Sequence, residues 1–142
     1  MSSLHRTILL VDDHQILRTG LRQILGGQWE ICGEAENGQE AVEKALSLKP
    51  DLIVMDISMP VVNGLEATKQ IRHLGLPTKI AILSMHDSDQ VAKQAEKAGA
   101  DAFLTKTCSP NELVNRIAGL LDTNKSTTTA FCTNDNASTM SD

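Results

Sequence analysis

Short apolar runs separated by amphipathic stretches set the tightest limit on what this chain can fold into. The runs are Thr7-Ile8-Leu9-Leu10-Val11, Trp29-Glu30-Ile31-Cys32-Gly33, Leu52-Ile53-Val54-Met55, Ile80-Ala81-Ile82-Leu83 and Ala102-Phe103-Leu104. Three of them are apolar throughout rather than alternating, as expected of parallel strands covered on both faces. Between the runs, Ile16, Leu17, Leu21, Ile24 and Leu25 recur at helical spacing, as do Ala41, Val42, Ala45 and Leu46. The punctuation agrees. Pro50 closes the second helix, and Gly99 stands where the fourth needs a left-handed C-cap. Ser109-Pro110-Asn111-Glu112 reads as a capping box with proline at the first helical position of the fifth. Strand then helix, five times over, implies an α/β fold: a (βα)5 doubly wound, five-stranded parallel sheet with right-handed crossovers.

Composition divides the chain. Of the 21 residues 122–142, fifteen are Ser, Thr, Asn or Asp, and only Phe131 and Met140 are large and apolar. Such a stretch buries too little surface to offset its ordering entropy. The expected organisation is a lead at residues 1–5, one domain over 6–121, and at 122–142 a disordered tail or truncated linker. The net charge of −5 argues against a nucleic-acid surface, which needs surplus Lys and Arg to displace counterions. No apolar run approaches the ~20 residues of a membrane-spanning helix, so no membrane partner is expected. Cys32, Cys108 and Cys132 are odd in number and far apart, which disfavours a disulfide framework or a zinc site and suits a reducing, cytoplasmic setting.

In an open α/β sheet, ligands bind beyond the carboxyl ends of the strands. Here the first run ends in Asp12-Asp13, the third in Asp56, the fourth in Ser84 and the fifth in Thr105-Lys106. Packed together, three acids repel one another unless a cation sits among them. An oxygen-only donor set suits a hard ion such as Mg²⁺, which keeps several waters and takes a phosphate. A lysine opposite supplies a point charge for a phosphoryl oxygen, and carboxylates are known nucleophiles in phosphoryl transfer. Together these imply phosphoryl transfer onto an aspartate, driven by positioning and charge neutralisation. His14, next to the acid pair, is expected to serve the helix start rather than a metal, because Mg²⁺ rarely takes imidazole.

Val11-Asp12-Asp13-His14, then Met55-Asp56-Ile57-Ser58-Met59-Pro60 through Asn63-Gly64, then Leu83-Ser84, then Phe103-Leu104-Thr105-Lys106 resemble the receiver (CheY-like) domain of bacterial two-component response regulators. The resemblance covers residues 6–121. The start followed by Leu17-Arg18-Thr19-Gly20-Leu21 looks like the NarL/LuxR-type subgroup. It implies the flavodoxin-like strand order 2-1-3-4-5. It also implies that Asp56 accepts a phosphoryl group from the phosphohistidine of a sensor histidine kinase. By the same resemblance, Asp13, Asp56 and the backbone carbonyl of Ser58 would bind Mg²⁺ directly, with Asp12 acting through water. Lys106 would pair with the phosphoryl oxygens. Ser84 would turn toward the phosphate and Phe103 would follow it inward as the switch, while Ser58 and His86 would set the phosphoryl lifetime. Such a protein is a phosphoacceptor switch rather than a turnover enzyme, and a homodimer formed on phosphorylation is a further expected partner.

Two departures stand out. The residue after Lys106 is Thr107 where the family often has a cis proline, and Phe103 lacks a tyrosine hydroxyl, so any switching must work by ring packing. A haloacid-dehalogenase-like phosphatase is the enzyme rival, but its DxDx[TV] pattern contrasts with Asp12-Asp13-His14-Gln15 here. A flavodoxin-like cofactor module would need a phosphate-gripping loop after the first strand, which is missing. The output is left open between a transcription regulator carrying a DNA-binding domain and a stand-alone receiver that signals by protein contact.

Overall fold

The computed structural model describes residues 6–57, 63–85, 89–106 and 109–121. Strands β1 (Thr7–Val11), β2 (Glu30–Ala35), β3 (Leu52–Asp56), β4 (Lys79–Ser84) and β5 (Ala102–Thr105) alternate with helices α1 (Gln15–Leu25), α2 (Gly38–Leu48), α3 (Gly64–His73), α4 (Asp89–Ala98) and α5 (Pro110–Leu121). All neighbouring strands pair in parallel, in the order β2-β1-β3-β4-β5. The fold class and strand order therefore follow the sequence reading.

Because side chains alternate across a strand, each run feeds two layers. Leu9, Val11, Ile53, Met55, Ile80, Ile82 and Phe103 point to one face, where Ala41 and Ala45 of α2, Ala67 and Ile71 of α3, and Ala92 and Ala95 of α4 cover them. Ile8, Leu10, Leu52, Val54, Ala81, Leu83 and Leu104 point to the other, under Leu25 of α1 and Leu113, Ile117 and Leu121 of α5. Each large aliphatic side chain buried in this way contributes roughly 1.5–3 kcal/mol. The alanines on the first face let three helices approach the sheet closely.

Local chemistry fixes where the helices start and stop. Asn37 caps α2 and Asn63 caps α3, each side chain accepting from the backbone amide three residues on. Ser109 does the same for α5 through Glu112. Gly99 has φ +105°, the left-handed cap expected for α4. At the end of α2 the left-handed residue is Lys49 (φ 47°), which no propensity singles out, just ahead of Pro50.

One helix departs from its pattern. The apolar spacing in α1 predicts a buried stripe through Ile16 and Leu17, yet Ile16 is 85% exposed and Leu17 40% exposed. The first turn of α1 rises past the carboxyl ends of the strands, and the inward position there belongs to Arg18, which is buried.

Candidate functional site

Hydrogen bonding continues one residue past the strands at their carboxyl ends, and this sets the chain positions of the site. The Asp12 amide donates to Ala35 O (3.1 Å), Ile57 to Leu83 O (3.0 Å) and Lys106 to Ser84 O (2.7 Å). Asp12 and Asp56 are thereby held at the ends of adjacent strands, and Ser84 at the end of the next. Lys106 comes from the sheet edge and reaches inward.

Its ammonium joins the carboxylates. Lys106 Nζ lies 2.9 Å from Asp56 Oδ1 and 3.1 Å from Asp12 Oδ2. Asp12, Asp56 and Ser84 are almost fully buried, while Asp13 stands exposed at the rim. His14 precedes α1 as its N-cap residue without a side-chain cap, and its Nδ1 lies 3.0 Å from Asp13 Oδ1 and 3.3 Å from Asp12 Oδ1. Asp12, Asp13 and His14 offer ligand atoms that all lie within 4.8 Å of one another.

Negative charge outweighs positive charge in this cluster. Burial pushes the Asp56 carboxyl above the usual carboxylate range; the Lys106 hydrogen bond opposes this, and the Asp12 charge adds to it. Burial alone would lower Lys106, but its hydrogen bonds to Asp56 and Asp12 prevail and raise it. Burial dominates the Asp56 shift, with the neighbouring acids adding to it, and the Lys106 shift reflects an ammonium held between two carboxylates. Asp56 Oδ2 is moreover buried without a hydrogen-bond partner among the described residues. An orphaned buried carboxylate oxygen beside surplus negative charge fits a divalent cation, and a donor set rich in carboxylate oxygen fits Mg²⁺.

The structure thus brings together Asp12, Asp13, Asp56, Ser84 and Lys106 at one end of the sheet. Phe103 is 5% exposed, its ring already within the core cluster that holds Ile82, Ala92 and Ala95. Ser58, His86, Thr107 and Cys108 lie outside the described residues, as do residues 1–5 and the 122–142 segment. Two further residues near the site stand within the quoted sequence motifs without having been given a part in the site. Gly64 opens α3 hard against β3, so that a Cβ on it would fall 2.3 Å from Asp56 O. Arg18 reaches under α1 to donate to the Asp12 carbonyl at 2.5 Å. Helical periodicity shows Arg18 only as a charge inside an apolar repeat.

Comparison with known proteins agrees with this geometry. Residues 8–118 match the response regulator receiver domain family. The nitrate/nitrite response regulator protein NarL of Escherichia coli is 41% identical over 113 residues, covering 78% of this chain and 52% of that protein. The chemotaxis protein CheY of Halobacterium salinarum is 40% identical over 116 residues, covering 82% of this chain and 97% of CheY. Among solved structures, the signal receiver domain of the putative response regulator NarL from Mycobacterium tuberculosis superposes with a TM-score of 0.79. It shares 29% identity and covers 82% of this chain and 96% of that one. A LuxR-family two-component response regulator from Aurantimonas gives a TM-score of 0.79 at 36% identity, covering 82% of this chain and 85% of that one.

Proposed function

The chain belongs to the response regulator receiver family, and we propose that it acts as a phosphorylatable switch whose acceptor is Asp56. The single observation that carries this reading is the Lys106 ammonium bridging Asp56 and Asp12 while the second Asp56 oxygen stays buried and unpartnered. Receiver domains as a family take phosphoryl groups from histidine kinases and bind Mg²⁺ at their acidic cluster.

Each residue then has a task. Asp12, Asp13 and Asp56 would hold the cation, which supplies charge neutralisation for the transferring phosphoryl oxygens. A carboxylate oxygen of Asp56 attacks phosphorus in line as the phosphorus–nitrogen bond of the donor phosphohistidine breaks, and the donor ring, protonated beforehand on its other nitrogen, leaves as neutral imidazole. Lys106, already 2.9 Å from Asp56, meets the charge that builds on the phosphoryl oxygens. Ser84, buried at the end of the neighbouring strand, lies on the side from which a hydroxyl can hydrogen-bond the new group. A phosphoryl group adds about −1.5 to −2 charge at this point, and the strand 4–helix 4–strand 5 face, with Phe103 beneath it, is the element that this charge biases.

The chain spans about half the length of the NarL relatives it matches and nearly all of the archaeal CheY. DegU of Brevibacillus brevis, a transcriptional regulatory protein, is 36% identical over 112 residues. These relatives favour an output in transcription, with contact signalling as the second reading.

The decisive experiment is intact mass after incubation with acetyl phosphate and Mg²⁺. The wild type should gain one hydroxylamine-labile phosphoryl group and Asp56→Asn none. An adduct that persists in Asp56→Asn, or none in the wild type, would overturn the assignment.

A further inference from the structure

Arg18 is the one buried arginine among the described residues, and its place is not explained by packing. It sits in the first half of α1, where the apolar repeat would have put a leucine toward the sheet. Its guanidinium makes two different bonds. Nη1 donates to the Asp12 backbone carbonyl at 2.5 Å, and Nε donates to Glu34 Oε1 at 2.8 Å. Glu34 is itself held. Arg22 takes its other oxygen through Nε (2.9 Å) and Nη2 (2.6 Å), and Lys44 of α2 donates to its backbone carbonyl. The Arg22 hydrogen bond, then that of Arg18, keeps the Glu34 carboxyl below its usual range, so the anchor is charged.

The consequence falls on Asp13. Asp12 is pinned on its amide side by Ala35 O of β2 and on its carbonyl side by Arg18. The Ala35 bond fixes the Val11–Asp12 peptide and the Arg18 bond fixes the Asp12–Asp13 peptide, from which the Asp13 side chain departs. Asp13 is exposed, and its side chain meets the still more exposed His14. Its direction is therefore governed by the backbone that carries it. Glu34 is shared between Arg18 and Arg22, so it offsets the guanidinium charge only in part.

We infer that Arg18 is a positioning residue for the divalent cation, setting the Asp12–Asp13 peptide so that both carboxylates face one ion. This rests on the reading that Asp12 and Asp13 hold Mg²⁺. It assigns the arginine of α1 to the metal site rather than to the helix alone.

The test is Mg²⁺ titration by calorimetry together with thermal unfolding, on wild type, Arg18→Met, Arg22→Met and Asp13→Asn. Losing an outer partner of a metal ligand typically weakens binding about 10–100-fold, and that loss is expected for Arg18→Met. Arg22→Met removes bonds to the same Glu34 but none to Asp12. It should lower the melting temperature yet keep the wild-type affinity. Should Arg18→Met fail to fold, Arg18→Lys, which keeps the charge but not the two-pronged reach, is read by the same criterion. Wild-type affinity in the folded Arg18 variant would overturn the inference, and so would an equal loss in Arg22→Met, which would mark general loosening. If the wild type bound no Mg²⁺, or Asp13→Asn bound it as tightly, the metal reading itself would fall and the inference with it.

Discussion

Lys106 Nζ stands 2.9 Å from Asp56 Oδ1 although their strands are not neighbours, since β4 runs between β3 and β5. The ammonium crosses the end of β4 and continues to Asp12 Oδ2 at 3.1 Å. One cation thereby ties together the ends of β1, β3 and β5, and it occupies the charge-neutralising position that a divalent ion shares.

Lys106→Ala should separate these two effects. Removing the ammonium leaves Asp12 and Asp56 facing each other unneutralised, so stability in chelator should fall by about 1.5–3 kcal/mol, as for hydrogen bonds between charged groups. Mg²⁺ should bind more tightly than in the wild type, because its resident competitor has gone. Urea unfolding with and without Mg²⁺ checks both, and the stability gap should narrow as Mg²⁺ is added. Weaker Mg²⁺ binding in Lys106→Ala would contradict this account.

The raised Asp56 carboxyl carries a prediction of its own. Its folded pKa lies above the unfolded value, so the stability linked to this group is complete below the unfolded pKa and is lost as pH rises through the folded one. At neutral pH the wild type bears the cost of an ionised buried carboxylate. Asp56→Asn removes that charge while Lys106 keeps Asp12, so in chelator at neutral pH the variant should melt at a higher temperature. The advantage should shrink as pH is lowered through the carboxylate range. Thermal unfolding across that range decides the matter; a variant less stable at neutral pH would show that the Lys106 bond outweighs burial.

Much of this site was legible because it is built from strand ends, and strand ends are visible in a sequence. Apolar runs that stop at Asp12, Asp56, Ser84 and Lys106 announce both the sheet and the residues at its rim. Spacing also revealed the Ser109 cap and the left-handed Gly99. What it could not reveal depended on tertiary partners. Arg18 is buried because Glu34, sixteen positions away on β2, and the Asp12 carbonyl satisfy it, and helical periodicity carries no record of either. Ile16 and Leu17, the apolar residues beside Arg18, are exposed instead. Lys49 takes the left-handed cap at the end of α2 although lysine has no preference for that conformation, and Pro50 and β3 follow at once.

Phe103 tests how far core and switch share residues. The ring is 5% exposed and belongs to the cluster under α2, α3 and α4. Phe103→Ala should therefore cost about 3–5 kcal/mol of stability, as for a large-to-small change in a packed core. Urea denaturation measures it. A cost under half of that would mean that the ring leaves the cluster easily, as a mobile switch must.

Two glycines at helical positions should respond to alanine with opposite signs. A Cβ at Gly20 in α1 meets nothing within 4 Å, so Gly20→Ala should stabilise the protein by about 0.5–1 kcal/mol through helix propensity alone. At Gly64 the same methyl would sit 2.3 Å from Asp56 O and 2.9 Å from Ile57 Cα, both backbone atoms that cannot swing aside. The Gly64 amide also donates to Ile57 O, and Thr68 Oγ1 donates to Gly64 O, so the helix start is fastened where it lies. Relief of the clash has to push α3 away from the end of β3. Gly64→Ala should then destabilise by about 1–3 kcal/mol, in the range of an overpacked core, and should weaken Mg²⁺ binding by shifting Asp56. Chemical denaturation and Mg²⁺ titration of both variants check the pair, with Gly20→Ala leaving the affinity unchanged. A Gly64→Ala protein with wild-type stability and affinity would show that the approach of α3 to Asp56 is not what places the carboxylate.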